Sequence, residues 1–300
     1  MGGNAIENAE RMSKQEYIDI CNYLKSIDNT IMITYSFDTK ESYGDIDIIV
    51  INKIPIIENI SQIVKNGSLT SIGLIWNNKI NQIDFTVTSK EKQEFLHTYL
   101  SYSIFGICLG ISLNKLNLQY GSEGLKLSFS INKTNYYLLL LKDTESIFQF
   151  LELDLNRFHL GFKDSNELLD YIFESPYISY EILFKKTLTA KEDSRLNVIN
   201  DYKPIRQHVK SLKQDLDEIK NKVLGFFNKK GEYEEMNKEI EKKNELALKF
   251  NGNIVMKILD NKIQGKELGN FIKNFKETYD IENMSQDEIE INILSYYKQS

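Results

Sequence analysis

Apolar positions recur along this chain with two different periods, and the period assigns the elements. Over residues 14–26, Tyr17, Ile18, Ile20, Cys21 and Leu24 fall at the i, i+3, i+4, i+7 spacing of a helix with one buried face. Ser13 stands just ahead of it, and Glu16 three residues on completes a capping box. The period then drops to two. Residues 30–36 and 45–51 read as strands joined by a polar connection at 39–44, and the second strand opens on strict polar–apolar alternation. Residues 69–88 read as a hairpin with arms at 71–76 and 80–87. Asn77-Asn78 supplies its turn, since asparagine tolerates the left-handed backbone that a tight hairpin demands. A helical region is predicted over 90–116, a second hairpin from 118–131 and 136–141, and short helices near 144–152 and 164–174, the last stopped near Pro176.

The character changes after about residue 180. Residues 205–250 are charged, lack strand signals and carry spaced apolar residues at Val209, Leu212, Leu216, Ile219 and Val223. They predict an amphipathic helix and a second one after the break between Gly225 and Gly231. The fold class expected is therefore α+β: a small mixed sheet with helices over residues 1–185, then a helical domain over residues 186–300. Within that domain, Phe250-Asn251-Gly252-Asn253-Ile254-Val255-Met256 and Gly265-Lys266-Glu267-Leu268-Gly269 predict a helical hairpin. Gly252 is expected to make a tight turn, Asn253 to cap the next helix, and Gly265 and Gly269 to permit close helix approach.

Composition narrows the classes. At 300 residues, 41% hydrophobic and 27% charged, the chain is long enough to bury real cores. It has no apolar run of about 18 residues, so no membrane span is expected. The opening Met1-Gly2-Gly3-Asn4-Ala5-Ile6 fits neither a signal peptide nor a myristoylation site. Cys21 and Cys108, the only cysteines, argue for a reducing cytoplasm, and with three histidines they show no zinc-ligand spacing. No phosphate-binding Gly-x-x-x-x-Gly-Lys loop and no Gly-x-Ser-x-Gly elbow is present.

The net charge of −6 hides an asymmetry: residues 185–230 hold twelve Lys plus Arg against six Asp plus Glu, leaving −12 for the rest. An acidic catalytic half joined to a more basic half fits this, and so does a merely solvated helical surface. On the first reading Lys185, Lys186, Arg195, Lys203, Arg206, Lys210 and Lys213 contact an RNA backbone, with Tyr202 and His208 interleaved to stack on bases. His97 and His159 lie among apolar residues and read as structural. Tyr99, Tyr102, Phe105, Phe148, Phe150, Phe158 and Phe162 read as core.

The informative chemistry is Ser42-Tyr43-Gly44-Asp45-Ile46-Asp47-Ile48-Ile49-Val50. On a strand, Asp45 and Asp47 project to one face and Ile46 and Ile48 to the other. Paired carboxylates repel and resist burial without a counter-charge, which divalent cations with oxygen ligands supply. In Gln82-Ile83-Asp84-Phe85-Thr86-Val87, Asp84 shares a face with Gln82 and Thr86. If the two strands are neighbours, three carboxylates converge, able to hold two metals roughly 3.5–4 Å apart for displacement at phosphorus. Exposed edge-strand charges are the plainer alternative.

Gly44-Asp45-Ile46-Asp47-Ile48-Ile49-Val50 with the later Ile83-Asp84-Phe85 resembles the signature of the polymerase-β-type nucleotidyltransferase superfamily. The likeness is nearest to stand-alone enzymes of bacteriophages and large DNA viruses, through Met1-Gly2-Gly3-Asn4-Ala5, Ser101-Tyr102 and Tyr120-Gly121-Ser122-Glu123-Gly124-Leu125, and covers about residues 1–185. It implies a polymerase-β-like fold, Asp45, Asp47 and Asp84 as catalytic ligands of two Mg²⁺ (or Mn²⁺) ions, an NTP substrate such as ATP or CTP, and in a viral setting the host cytoplasm. The superfamily's Gly-Ser before the first acid is missing. Either Lys40, Ser42 and local amides such as that of Gly44 hold the triphosphate, or Gly2, Gly3 and Asn4 fold back as an amide cradle. The segment 250–269 is similar to a tail element of tRNA nucleotidyltransferases, with an Asn where those often have Asp. Together with the basic stretch this favours an RNA 3′ end as acceptor. A protein or small-molecule acceptor, as in toxin-like enzymes, and a catalytically inactive binding module are the alternatives.

Overall fold

The computed structural model describes residues 5–179, 181, 183, 202 and 215–299. The chain divides into two compact units, Met1–Asn228 and Lys229–Ser300. The boundary expected at 185/186 lies outside the described residues. The fold class is α+β, with small sheets and helices followed by a helical carboxy-terminal region.

The first unit is built on a five-stranded sheet in the order β2 (Met32–Ile33), β4 (Asp45–Ile51), β7 (Lys79–Thr88), β6 (Leu69–Trp76), β5 (Ile60–Asn66). Only β4 and β7 run parallel; the other neighbours are antiparallel. The β6–β7 hairpin turns at Asn77 and Asn78, both left-handed with φ of 49° and 63°, as the sequence predicts. One face of the sheet is apolar. Ile46, Ile48, Val50, Ile72, Leu74, Ile83 and Phe85 pack there against Ile20, Cys21 and Leu24 of α1 (Lys14–Ile27). Helix α1 carries the expected capping box between Ser13 and Glu16. Two short strands, β1 (Met12–Ser13) and β3 (Ser42–Tyr43), pair beside it.

The strand expected over 30–36 pairs only at Met32–Ile33. Edge strand β5 was not expected at all: its polar Ser61, Gln62 and Lys65 blur the alternation, and it bends at a register shift near Ile60. The helical region expected over 90–116 is two helices, α2 (Lys90–Leu100) and α3 (Phe105–Asn114), set at 90°. Tyr102 and Ser103 at the corner take φ of 59° and 53°. Tertiary bonds hold that backbone: Tyr102 N–H donates to Tyr35 O at 2.8 Å, and Ser101 Oγ accepts from Tyr35 N–H at 3.0 Å.

The strand expected over 118–131 is also two, β8 (Leu118–Gly121) and β9 (Gly124–Ile131), which with β10 (Thr134–Leu141) make an antiparallel sheet. Gly124 allows the turn: its φ is +109°, and a Cβ there would stand 2.4 Å from Leu141 O. Helices α4 (Thr144–Phe150), α5 (Leu155–His159) and α6 (Ser165–Ile172) follow, capped by Asp143, Asp154 and Asp164. Helix α7 (Leu216–Phe226) ends the unit.

The second unit holds α8 (Lys230–Lys249), α9 (Gly252–Ile258), α10 (Gly265–Thr278) and α11 (Gln286–Gln299) around Phe250, Val255, Phe271, Phe275, Ile289 and Ile293. The break between α7 and α8 falls where Gly225 and Gly231 predict it. The detail of the hairpin differs from expectation. Asn251, not Asn253, caps α9, its side chain accepting from Ile254 N–H at 3.0 Å. Close approach requires none of the three glycines: a Cβ at Gly252 would make ordinary contact with Leu268 and Ile272 at 3.4 and 3.5 Å, and Gly265 and Gly269 face open space. Among the described residues no single helix is long and apolar enough to cross a membrane.

Candidate functional site

Strands β4 and β7 pair in parallel with Asp45 opposite Gln82 and Asp47 opposite Asp84. Residues opposite one another on neighbouring strands share a face about 4.8 Å apart. The three acids singled out in the sequence therefore lie on one face of two adjacent strands. The other face is closed: Ile46, Ile48, Ile83 and Phe85 are each at most 1% exposed.

This proximity disturbs the acids. Burial, and then the charges of Asp45 and Asp84, push the Asp47 carboxyl up to about 7, with Lys40 opposing. The Asp47 side chain is nonetheless exposed to water, so it is desolvated by the protein mass around it rather than enclosed. Asp45 is also raised, by burial first and then Asp84, against the pull of Lys40 and Arg11. Lys40 is lowered by its own burial, while Asp45 and Asp47 draw it back up.

Asp45, Asp47 and Lys40 line a small recess of about 60 Å³, walled by Tyr17, Thr34, Tyr35, Ser36, Tyr43 and Ser103 among others. Lys40 Nζ lies 4.5 Å above the Tyr43 ring, and Tyr43 stacks on Tyr17 at 3.9 Å. The loop that carries Lys40 is tied down along its length. Thr34 N–H donates to Asp47 O at 3.1 Å, Asp38 N–H to Phe162 O at 3.2 Å, Thr39 N–H to Lys163 O at 3.0 Å, and Lys14 Nζ to Asp38 O at 2.6 Å. Sequence reasoning missed Ser36 and Ser103. Ser36 falls at the end of the strand expected over 30–36, with no motif around it, and Ser103 lies inside what reads as continuous helix.

The other candidates separate. Ser42 is turned to Arg11, its Oγ accepting from Nε at 2.8 Å and its carbonyl from the guanidinium at 2.9 Å, and it does not line the recess. Gly44 leads into β4 and is not part of the wall either. Gly2, Gly3 and Asn4 lie outside the described residues, as do Lys185, Lys186, Arg195, Lys203, Arg206, His208, Lys210 and Lys213. Tyr202 is described and is no stacking platform: it is buried, packs on Phe173, and its hydroxyl donates to Asp170. His97 is structural, buried with Nε2 2.9 Å from Ile33 O. His159 is exposed, its Nδ1 3.3 Å from the Tyr35 hydroxyl, rather than lodged in the core.

Asp84 stands apart from the recess. Both of its oxygens accept from Gln82 Nε2, at 2.9 and 3.0 Å, and it does not line the wall. Among the described residues no three His, Cys, Asp or Glu side chains are gathered into a ready metal cage. The donor chemistry still suits a hard divalent cation: Asp45 and Asp47 open onto one recess, both carry proton affinities raised by burial first and by neighbouring carboxylates second, and Asp84 is the next residue across. No protein-family model matches the chain, and no characterised protein matches it as a relative.

Proposed function

We propose that the chain is a metal-dependent nucleotidyltransferase of the polymerase-β type, moving a nucleoside monophosphate from an NTP to a hydroxyl. The observation that carries this reading is the parallel register that sets Asp47 beside Asp84 with Asp45 on the same face. Asp45 and Asp47 would hold Mg²⁺ or Mn²⁺, with Asp84 completing the second position. The bound ions would offset triphosphate charge and make the attacking hydroxyl easier to deprotonate. Lys40, fixed at the recess by Tyr43 and its anchored loop, supplies a cation for the outer phosphates. The acceptor oxygen bonds to the α-phosphorus, the bond to pyrophosphate breaks, and the hydroxyl proton is released. An amide cradle from Gly2, Gly3 and Asn4 draws support from Ala5 and Ile6, whose N–H groups are fixed on Gln82. The acceptor proposed is an RNA 3′ end, on the charge of residues 185–230 and the likeness of the tail.

The test is transfer from α-labelled NTPs with Mg²⁺ to RNA, to protein and to small hydroxyl compounds. Label in RNA that vanishes in Asp47→Asn supports the reading. Label in protein or small molecules moves the acceptor but keeps the chemistry. An unchanged rate in Asp47→Asn, or no transfer by folded protein to any acceptor, would refute it.

A further inference from the structure

Gln82 has both ends of its amide committed. Its Oε1 accepts from Ala5 N–H at 3.0 Å and Ile6 N–H at 3.2 Å, while its Nε2 donates to the two Asp84 oxygens. A flipped amide would set its NH₂ against two donors and its oxygen against a carboxylate, so the orientation is fixed by its partners. The segment that supplies those N–H groups is itself held across the sheet. Glu7 N–H donates to Gln62 Oε1 at 3.1 Å and Glu10 N–H to Ile80 O at 2.8 Å. Ile6 is buried over Gly73, where a Cβ would come 2.9 Å from its Cγ2.

Asp84 has no ion pair among the described residues, and it stands beside two further acids. Among the described residues this buried carboxylate is held by a neutral amide alone, with no cation paired to it, an arrangement that adds little to stability. The arrangement makes sense as orientation. We infer that Gln82 is a positioning residue for the cation site, and that the amino-terminal segment at Ala5 and Ile6 is coupled to that site through it. This rests on the reading of Asp45, Asp47 and Asp84 as cation ligands. Ligating carboxylates are commonly fixed by outer hydrogen bonds, and removing such a partner typically weakens metal binding about 10–100-fold.

The experiment is Mn²⁺ titration of the full chain by electron paramagnetic resonance, with amide exchange of the amino-terminal peptide followed by mass spectrometry with and without Mg²⁺. Gln82→Met, similar in size but unable to bond to either neighbour, should weaken Mn²⁺ about tenfold or more. A truncation of residues 1–6 leaves the Gln82–Asp84 bond and should weaken Mn²⁺ in the same direction. Mg²⁺ should slow exchange at Ala5 and Ile6 in the wild type but not in Gln82→Met, because coupling is reciprocal; a purely structural glutamine would not respond. Wild-type Mn²⁺ affinity in Gln82→Met, with binding lost in Asp47→Asn, overturns the inference and leaves the cation reading standing. No Mn²⁺ binding by the wild type removes both. If Gln82→Met does not fold, the truncation and the Mg²⁺ effect on exchange decide the matter, and unchanged values in both overturn it.

Discussion

Replacing Asp47 with asparagine should stabilise the metal-free protein, by an amount that depends on pH. In the unfolded chain an aspartate ionises near 3.8, whereas in the folded protein Asp47 ionises near 7. Between those values the folded state binds more protons than the unfolded state, so wild-type stability falls as pH rises from about 4 to about 7 and is level above. Asparagine does not titrate, so the variant lacks this loss. The gap of about three pKa units corresponds to a ceiling of about 4 kcal/mol. Asp47 is exposed to water, and screening there brings the expected gain to about 1–2 kcal/mol. For a unit of this size that is about 2–8 °C in Tm. The assay is thermal unfolding in chelator at low ionic strength from pH 4 to 8.5, for wild type and Asp47→Asn. The curves should meet near pH 4 and separate up to pH 7, and Mg²⁺ at pH 8 should raise only the wild-type Tm. A variant less stable than wild type at pH 8 in chelator, or a gap that does not change with pH, would refute the argument.

Lys40→Met removes the cation that opposes protonation of Asp45 and Asp47, so both should titrate at still higher pH, read by carboxyl NMR shifts; unmoved titrations would break the proposed link. Gly73→Ala sets a methyl 2.4 Å from Ser61 Oγ and 2.9 Å from Ile6, and should cost about 1–3 kcal/mol in denaturant unfolding. Ser13→Ala removes one half of the capping box on α1 and should cost about 1 kcal/mol, a loss that Ser13→Asp should largely avoid.

The parts of the fold that could be read from the chain are those fixed by neighbours in sequence. The capping box of α1, the Asn77-Asn78 turn and the Asp-Ile-Asp-Ile alternation of β4 all depend on residues within four positions. What could not be read depends on distant groups. The corner at Tyr102 and Ser103 is imposed by Tyr35 in the loop after β2, and no glycine announces it. The parallel pairing of β4 with β7, which sets Asp47 beside Asp84, leaves no local trace. The same applies to Asp84: its alternation shows the shared face with Gln82, but not that Ala5 and Ile6 would orient that glutamine to hold it. Gly252 and Gly269 look equivalent in sequence, and only the packing of α9 on α10 tells which one lies in the contact.

The anchored loop between β2 and β3 has a consequence for the order of assembly. Its fastenings come from Lys14, Ser101, Phe162 and Lys163, and the Thr39–Lys163 bonds close a separation of 124 residues. Contacts so far apart along the chain form slowly, because a long segment must first lose its freedom. A ribosome that has released only the first 140 residues has delivered every strand of the five-stranded sheet, yet none of the 162–163 latch. The acidic face thus precedes its enclosure during synthesis, and the finished recess belongs only to chains that have grown past Lys163.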